Sequence, residues 1–265
     1  MEKEESSMNS EPLNLPLSSV SEPLRFNDVP EISYAAGERP GCLFTRSRGS
    51  EARPLTLLRS KLVKKLQEEN ANIIGLTSAT PDVGKSFLSI ALSSSLARVT
   101  EKPVVLIDLD MRRASIAEYL KLDVGKGVSD YLADPSVSMQ DITVRIAQTN
   151  LFVMPSRTIG SESAELLAGP RFEEFMAGLR GLGPDVNCIV DLPPAFANDD
   201  AMIALEKLDG YLLVAEYAKT TKRHILDTLS MLAPARCIGS ILNRYEGGFG
   251  DTYAYGSSAY ARYYE

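Results

Sequence analysis

The chain has 265 residues, of which 44% are hydrophobic and 24% are charged. This composition is typical of soluble globular proteins and allows one large α/β domain or two small ones. The formal net charge of −7 provides no basic field for nucleic acid, so we expect no nucleic-acid partner. Three cysteines and a single histidine, His224, argue against a disulfide framework, a zinc site and a histidine-based triad. No apolar run reaches the roughly 18 residues of a membrane span, and we expect a protein of the reducing cytoplasm.

The first 50 residues show neither helical nor strand periodicity. They are rich in Ser, Pro and Glu and contain five of the fifteen prolines, so we expect residues 1–50 to form a disordered or loosely ordered segment. From Pro54 onward, leucines recur at the spacing of one helical face, at Leu55, Leu58, Leu62 and Leu66. A helix is therefore predicted near the start of a domain that covers residues 51–244.

Apolar strands and helices then alternate along the chain. The pattern predicts strands over 72–77, 103–108, 151–154, 186–191, 210–215 and 237–242, and helices over 85–99, 115–120, 171–179, 199–206 and 220–232. Nearly continuous apolar strands favour a mostly parallel sheet covered by helices on both faces, which is a three-layer α/β fold. Ligands of such sheets bind beyond the carboxyl ends of the strands.

The segment Thr77–Ser86 joins the first apolar strand to a helix and ends in Gly-Lys-Ser. This context is typical of a phosphate-binding P-loop, in which backbone N–H groups and a helix N-terminus cradle the phosphates of ATP. Lys85 would reach the β- and γ-phosphates, and the Ser86 hydroxyl would ligate Mg²⁺. The alternative is an ordinary strand-to-helix turn. The residues predicted to contact nucleotide are Ala79, Thr80, Pro81, Asp82, Val83, Gly84, Lys85, Ser86 and Phe87.

Two further apolar strands end in acidic residues. One runs into Asp108, Asp110 and Arg112, and the other ends in Asp191. Carboxylates at this edge of the sheet can hold Mg²⁺ or accept a proton from an attacking group. The alternative for each is a helix cap or a turn residue. Arg112 can hold phosphate or pair with an acid, and the sequence leaves both roles open.

The segments 77–86, 107–112 and 189–194 resemble the Walker A, A′ and B motifs of bacterial tyrosine kinases. Weaker matches extend the resemblance from about residue 50 to the C-terminus. It implies a P-loop NTPase fold of the SIMIBI-like type, with ATP and Mg²⁺ as cofactors. It also implies catalytic roles for Lys85, Asp108 and Asp110, metal ligation by Ser86, Asp110 and Asp191, and contacts to the nucleotide from Arg112 and, near the adenine, Asn243.

The chain also departs from related patterns. Ala79 replaces a glycine of the usual P-loop, and Asp82-Val83 replaces Gly-Glu before Gly-Lys-Ser. Asp82 could weaken ATP binding or simply point outward. An oligomerisation motif of the family, Glu-x-x-Arg-x-x-Arg, is matched here only by its last position, Arg59. Thr80 occupies the place of the signature lysine of ParA- and MinD-type ATPases, which argues against that group.

Five of the eleven tyrosines lie in the last thirteen residues, among Gly, Ser and Ala. Residues 245–265 therefore predict a flexible tail, with Tyr253, Tyr255, Tyr260, Tyr263 and Tyr264 as phosphoacceptors. The alternative is a sticky aromatic tail or an edge strand. A flexible tail of this length has a root-mean-square span of about 17–27 Å, which suffices to enter its own site or that of a neighbour.

The leading hypothesis is thus an autophosphorylating tyrosine kinase that regulates exopolysaccharide or capsule production. The resemblance implies a membrane partner of the co-polymerase or chain-length-regulator type, attachment to the inner face of the membrane through it, self-assembly through the kinase domain and tail, and an opposing tyrosine phosphatase. Two alternatives stay open: a P-loop ATPase that switches assembly without kinase activity, and a catalytically weak nucleotide-binding regulatory subunit.

Overall fold

The computed structural model describes residues 23–35, 38–41, 43 and 53–245. Its sheet contains β1 (Glu31–Ile32), β2 (Ile73–Ser78), β3 (Val104–Asp108), β4 (Val144–Ile146), β5 (Leu151–Met154), β6 (Asn187–Asp191), β7 (Gly210–Glu216) and β8 (Cys237–Asn243). The spatial order is β1-β4-β5-β3-β6-β2-β7-β8. The six strands from β5 to β8 are parallel, whereas β4 runs antiparallel to β5 and carries β1 parallel to itself. The predicted mostly parallel α/β fold is confirmed.

Helices cover both faces of this sheet. They are α1 (Arg53–Glu69), α2 (Lys85–Ala97), α3 (Ile116–Tyr119), α4 (Val128–Ala133), α5 (Ser163–Leu167), α6 (Pro170–Gly181), α7 (Asp200–Leu205) and α8 (Lys222–Met231). Strand alternation divides the core in two: Val105 and Ile107 pack with α4 and α6, whereas Val104 and Leu106 pack with α1 and α2. None of the helices in the described part of the chain combines the length and apolarity needed to cross a membrane.

Part of the segment that the sequence suggested to be loosely ordered packs against the sheet. Leu24 and Val29 are buried, and the ring of Phe26 lies 4.4 Å from that of Phe152. β1 then adds an edge strand, and the Tyr34 hydroxyl donates to the carbonyl of Leu120 at 2.6 Å. Leu24, Phe26 and Val29 thus pack on the domain, although the average composition of residues 1–50 predicts no such contacts.

The six predicted strands are all present within one or two residues of the predicted bounds. The sequence did not predict β1, β4, α4 or α5, because elements of two to six residues are too short to show a period. The two central acidic strands, β3 and β6, are direct neighbours, with Asp108 in register with Asp191. The fold therefore brings both predicted acidic strand ends to the end of β2 where the P-loop segment begins.

Candidate active site

The loop between β2 and α2 has the backbone form of a phosphate-binding turn. Gly84 immediately precedes α2 with φ of +90°, and Asp82 also adopts a left-handed conformation with φ of +62°. A side chain at Gly84 would run into the amide of Asn243. Glycine is therefore required here by both conformation and space.

Of the other predicted residues in this segment, some are buried or form hydrogen bonds within the loop, and one is exposed at the surface. Ala79 and Val83 are buried, and the carbonyl of Ala79 accepts from the Phe196 amide at 3.3 Å. The Thr80 carbonyl accepts from the Ser78 hydroxyl at 2.7 Å. Phe87 is 39% exposed on α2. A contact of Ala79, Thr80, Val83 or Phe87 with nucleotide stays a prediction.

Asn243 ties the end of β8 to this loop. Its amide donates to the Val83 carbonyl at 2.8 Å. This bond holds the loop from the side of β7 and β8, which are the last two parallel strands of the sheet. Asn243 is thus placed beside the loop, and its expected contact with adenine stays a prediction.

A cleft of about 170 Å³ opens at the carboxyl ends of the central strands. Six predicted residues line it: Pro81, Asp82, Gly84, Lys85, Ser86 and Asp110. Sequence reasoning missed five others: Arg113, Ser115, Tyr119, Pro194 and Arg244. Each of these stands within a few residues of a recognised motif, but no spacing rule singles them out.

Asp191, at the end of β6, is fully buried and does not line the cleft. Its Oδ1 accepts from the Ser89 hydroxyl at 2.9 Å, whereas Oδ2 has no hydrogen-bond partner among the described residues. Burial raises the pKa of Asp191 to about 6, and the ammonium of Lys85 opposes that rise. A buried oxygen left without a partner is costly unless another group completes the site.

Asp108 is sealed by backbone groups. Its Oδ1 accepts from the Asp110 amide at 3.1 Å, and its Oδ2 accepts from the amides of Ser115 and Ile116 at 3.2 Å each. Burial, followed by the charge of Asp191, raises the pKa of Asp108 well above its usual value. Asp108 has no exposed surface, so in this conformation its carboxylate holds the turn after β3 and does not face the cleft.

Asp110 is the carboxylate from this turn that reaches the cleft. It is 6% exposed, and its Oδ1 accepts from the Arg113 amide at 3.2 Å. Burial raises its pKa, while the nearby ammonium of Lys85 acts in the opposite direction. The charge of Lys85 thus acts on the pKa of both Asp110 and Asp191, and Lys85 is itself only 6% exposed.

Arg112 points away from this group. Its Nε donates to the Ser163 hydroxyl at 3.0 Å and to Oδ2 of Asp200 at 3.2 Å. Ser163 in turn donates to the same carboxylate oxygen at 2.7 Å. Strand alternation ends at Asp108, where the chain turns, and so Asp108, Asp110 and Arg112 do not share a face. Of the two roles left open for Arg112, the structure shows the ion pair with an acid.

Asp82 faces outward from the P-loop. Its carboxylate is 76% exposed and lies 3.2 Å from Nη1 of Arg113. Arg113 comes from the turn that also carries Asp110. The irregular acid of the loop is therefore paired with an arginine across the mouth of the cleft.

Arg244 closes the opposite side of the cleft and is held by Glu216 at 2.8 Å. The next residue, Tyr245, packs its ring edge-on against Tyr217 at 4.9 Å between centroids. The predicted phosphoacceptors Tyr253, Tyr255, Tyr260, Tyr263 and Tyr264 lie outside the described residues.

Known proteins are similar to this chain in sequence and in fold. No protein-family model matches the chain. EpsB of Ralstonia solanacearum, whose name assigns it to the tyrosine-protein kinases, is 32% identical over 237 residues, which cover 84% of this chain and 31% of EpsB. The crystallised BceF tyrosine kinase domain superposes with a TM-score of 0.62 at 29% identity, covering 71% of this chain and 75% of that domain.

A more distant structure shares the fold alone. The septum site-determining protein MinD from Pyrococcus horikoshii, solved with Mg-ADP, superposes with a TM-score of 0.54 at 23% identity, covering 66% of this chain and 71% of MinD. The chain spans between about a quarter and a third of the length of the curated relatives it matches first. It therefore corresponds to one portion of those larger proteins.

Proposed function

The chain belongs to the family of bacterial tyrosine kinases, and we propose that it transfers the γ-phosphoryl group of ATP to protein tyrosines. One observation carries this proposal: Lys85, Ser86 and Asp110 line one cleft beside a P-loop of suitable backbone form. A lysine, a hydroxyl and a carboxylate at a P-loop are the groups that bind a metal–nucleotide pair.

The donor set fits Mg²⁺. Magnesium prefers oxygen ligands, usually one or two carboxylates with phosphate and water. The Ser86 hydroxyl and the Asp110 carboxylate line the cleft and would supply two such oxygens, and the buried Oδ2 of Asp191, which has no partner among the described residues, would supply a third. When bound, the metal would neutralise charge on the phosphates.

Groups of the chain itself would have separate roles in phosphoryl transfer. The P-loop amides and the Lys85 ammonium would hold the phosphates and stabilise the charge on the transferring group. A tyrosine hydroxyl would attack the γ-phosphorus as the bond to the β–γ bridging oxygen breaks, which leaves ADP. The hydroxyl proton would pass to a carboxylate, either Asp108 or Asp110. Asp110 faces the cleft, so it is the more direct acceptor; transfer to Asp108 requires the turn that seals it to open.

The acceptor tyrosines would come from the C-terminal tail. Arg244 lines the cleft and Tyr245 follows it, so the tail begins at the rim of the site. Eight residues separate Tyr245 from Tyr253 in sequence, and a chain of that length spans at most about 28 Å. Tyr253 and the tyrosines after it can therefore reach this cleft or that of a neighbouring copy.

The biological role proposed is regulation of exopolysaccharide or capsule synthesis. A membrane co-polymerase or chain-length regulator would recruit and activate the kinase at the inner membrane face, and a tyrosine phosphatase would reverse its modification. Each phosphotyrosine adds about −1.5 to −2 charges, so several of them in thirteen residues would repel one another and disfavour self-assembly through the tail.

Transfer of labelled phosphate from Mg²⁺–ATP tests the proposal. Lys85→Met should abolish labelling of the tail, because it removes the cation at the phosphates. Lys126→Met is the matched control, since Lys126 is exposed in a loop that does not line the cleft. Persistent labelling in Lys85→Met would refute the assignment of the site.

An ATPase switch without kinase activity is the competing function, and the P-loop fold that the chain shares with MinD gives it support. Changing all five tail tyrosines to phenylalanine separates the two. A kinase loses its label in this variant, whereas an ATPase switch keeps its phosphate release and never forms phosphotyrosine.

A further inference from the structure

A second pocket lies at the opposite edge of the sheet from the P-loop. Ala97 and Arg98, at the end of α2, line it together with Gln148, Thr149 and Asn150 of the β4–β5 turn. Arg145 of β4 and Arg39 of the N-terminal segment complete the lining. Helix α2 has 13 residues, so about 20 Å separate this basic pocket from Lys85.

The basic pocket has the size and polarity of a small-molecule site. Its volume is about 730 Å³, which falls within the range of roughly 300–1,000 Å³ typical of such sites. Three of its residues are arginines, and Gln148 and Asn150 add side-chain amides. Gln148 has φ of +61°, an uncommon backbone conformation for a residue with a side chain.

The key observation concerns the guanidinium group of Arg39. Its Nε and Nη2 atoms are buried and donate to no acceptor among the described residues. A buried guanidinium nitrogen without an acceptor is costly, and native structures supply a partner, a water or an ion. The fold thus places two N–H donors of a positively charged group at the wall of a cavity, where no described residue accepts a hydrogen bond from them.

Among the described residues, no carboxylate forms an ion pair with this guanidinium. Arg145 is engaged by Glu31 at 3.1 Å, and its Nε donates to the Thr149 carbonyl at 2.9 Å. Nearby, burial and the like charge of Arg98 lower the pKa of Arg59. Positive groups therefore crowd the end of α2, and Glu31 is the one carboxylate that an ion pair in the described residues brings to the pocket lining.

We propose that the basic pocket binds a small phosphate-bearing anion at the sheet edge opposite the P-loop, with Arg39 as its central ligand. Guanidinium groups suit phosphate because their N–H donors match two of its oxygens at once. The N-terminal segment, which supplies both Arg39 and Glu31, would be the part of the chain that builds this site. The proposal does not depend on the kinase activity proposed above.

Binding of labelled inorganic pyrophosphate to the full chain tests the site. The measurement is made in the Lys85→Met background, which weakens the P-loop site. Arg39→Gln should weaken binding at least tenfold. Arg223→Gln is the matched control, because Arg223 is 88% exposed on α8 and pairs only with Asp227 in the described structure; it should leave binding unchanged.

A second variant covers the case in which Arg39→Gln disturbs the fold. Gln148→Glu places a carboxylate in the pocket while keeping Arg39, and it should also weaken pyrophosphate binding at least tenfold. Equal affinity in the Arg223→Gln and Gln148→Glu chains, or no binding in the control chain, would overturn the proposal. Repeating the titration with AMP identifies the source: tighter binding than pyrophosphate indicates a nucleotide, and equal binding indicates recognition of the phosphate group alone.

Discussion

Replacing Asp191 with asparagine tests whether the site holds a buried charge that lowers stability. Asp191 is fully buried in register with Asp108, and burial raises its pKa from 3.8 to about 6. Because the folded protein binds this proton more tightly than the unfolded chain, the free energy of unfolding falls as pH rises from about 4 to about 6. A difference of about two pKa units corresponds to a loss of roughly 3 kcal/mol across this window.

In Asp191→Asn the part of the pH-dependent loss that Asp191 contributes should disappear, whereas the parts that Asp108 and Asp110 contribute through their own raised pKa values remain. The asparagine carbonyl can still accept from Ser89, but its NH₂ group would occupy the position of the unpartnered Oδ2. An unsatisfied buried donor costs about 1–3 kcal/mol at any pH. At neutral pH the variant should therefore be between equally stable and about 2 kcal/mol more stable than the wild type.

Urea denaturation between about pH 4 and pH 7.5 measures both quantities, because the midpoint and slope give the free energy of unfolding at each pH. Asp185→Asn is the control: its carboxylate is 77% exposed and pairs with Lys102, so it should keep the pH dependence of the wild type. The reasoning fails if Asp191→Asn keeps that dependence, or if it is less stable than the wild type by more than about 1 kcal/mol at neutral pH.

The same substitution should reverse its effect when Mg²⁺–ADP is added. A ligand that binds only the folded state raises the free energy of unfolding in proportion to the logarithm of its concentration over Kd. The wild type should gain more than the variant, because Asp191 is a proposed metal ligand. Equal gains in the two proteins would remove Asp191 from the metal site while leaving the stability argument intact.

The remaining predictions concern the other parts of the cleft. Asp110→Asn should reduce phosphoryl transfer at least tenfold with little change in stability, whereas Asp108→Asn should be less stable than Asp191→Asn by about 1–3 kcal/mol, because its NH₂ group would face backbone donors while Asp191 has one oxygen without a described partner; denaturation and labelling of these variants check the ranking. Gly84→Ala should cost more stability than Gly183→Ala, since both glycines have positive φ but a Cβ at Gly183 meets nothing within 4 Å; equal unfolding free energies would contradict this. Asp82→Asn should change ATP affinity less than about threefold in a titration, because its carboxylate points outward; a tenfold gain would show that it faces the phosphates.

The central fold could be predicted because its signals are local and long. β3, β5 and β7 each contain an uninterrupted apolar run of four or five residues, and the side chains of β2, β3, β5, β6 and β7 are all or nearly all buried. The acids of the site were predictable for the same reason, since parallel strands deliver their carboxyl ends to one edge. The sequence could not show which acid faces the cleft. That depends on the turn after β3, where three backbone amides donate to Asp108 and Asp110 is left to line the cleft.

The same reasoning explains why the departures from the P-loop pattern were ambiguous in sequence. The Asp82 carboxylate would lie among the phosphates only if its side chain pointed into the P-loop. With φ of +62° it turns outward instead, and Arg113, a residue carried by the other motif, meets it there. Arg39 presents the opposite case. It lies in a segment of low periodicity, whose composition predicts exposure to solvent, but two of its guanidinium nitrogens are buried at the wall of a pocket. In both cases the sequence shows the sign of the charge, whereas the residues around it come from distant segments, and only the fold identifies them.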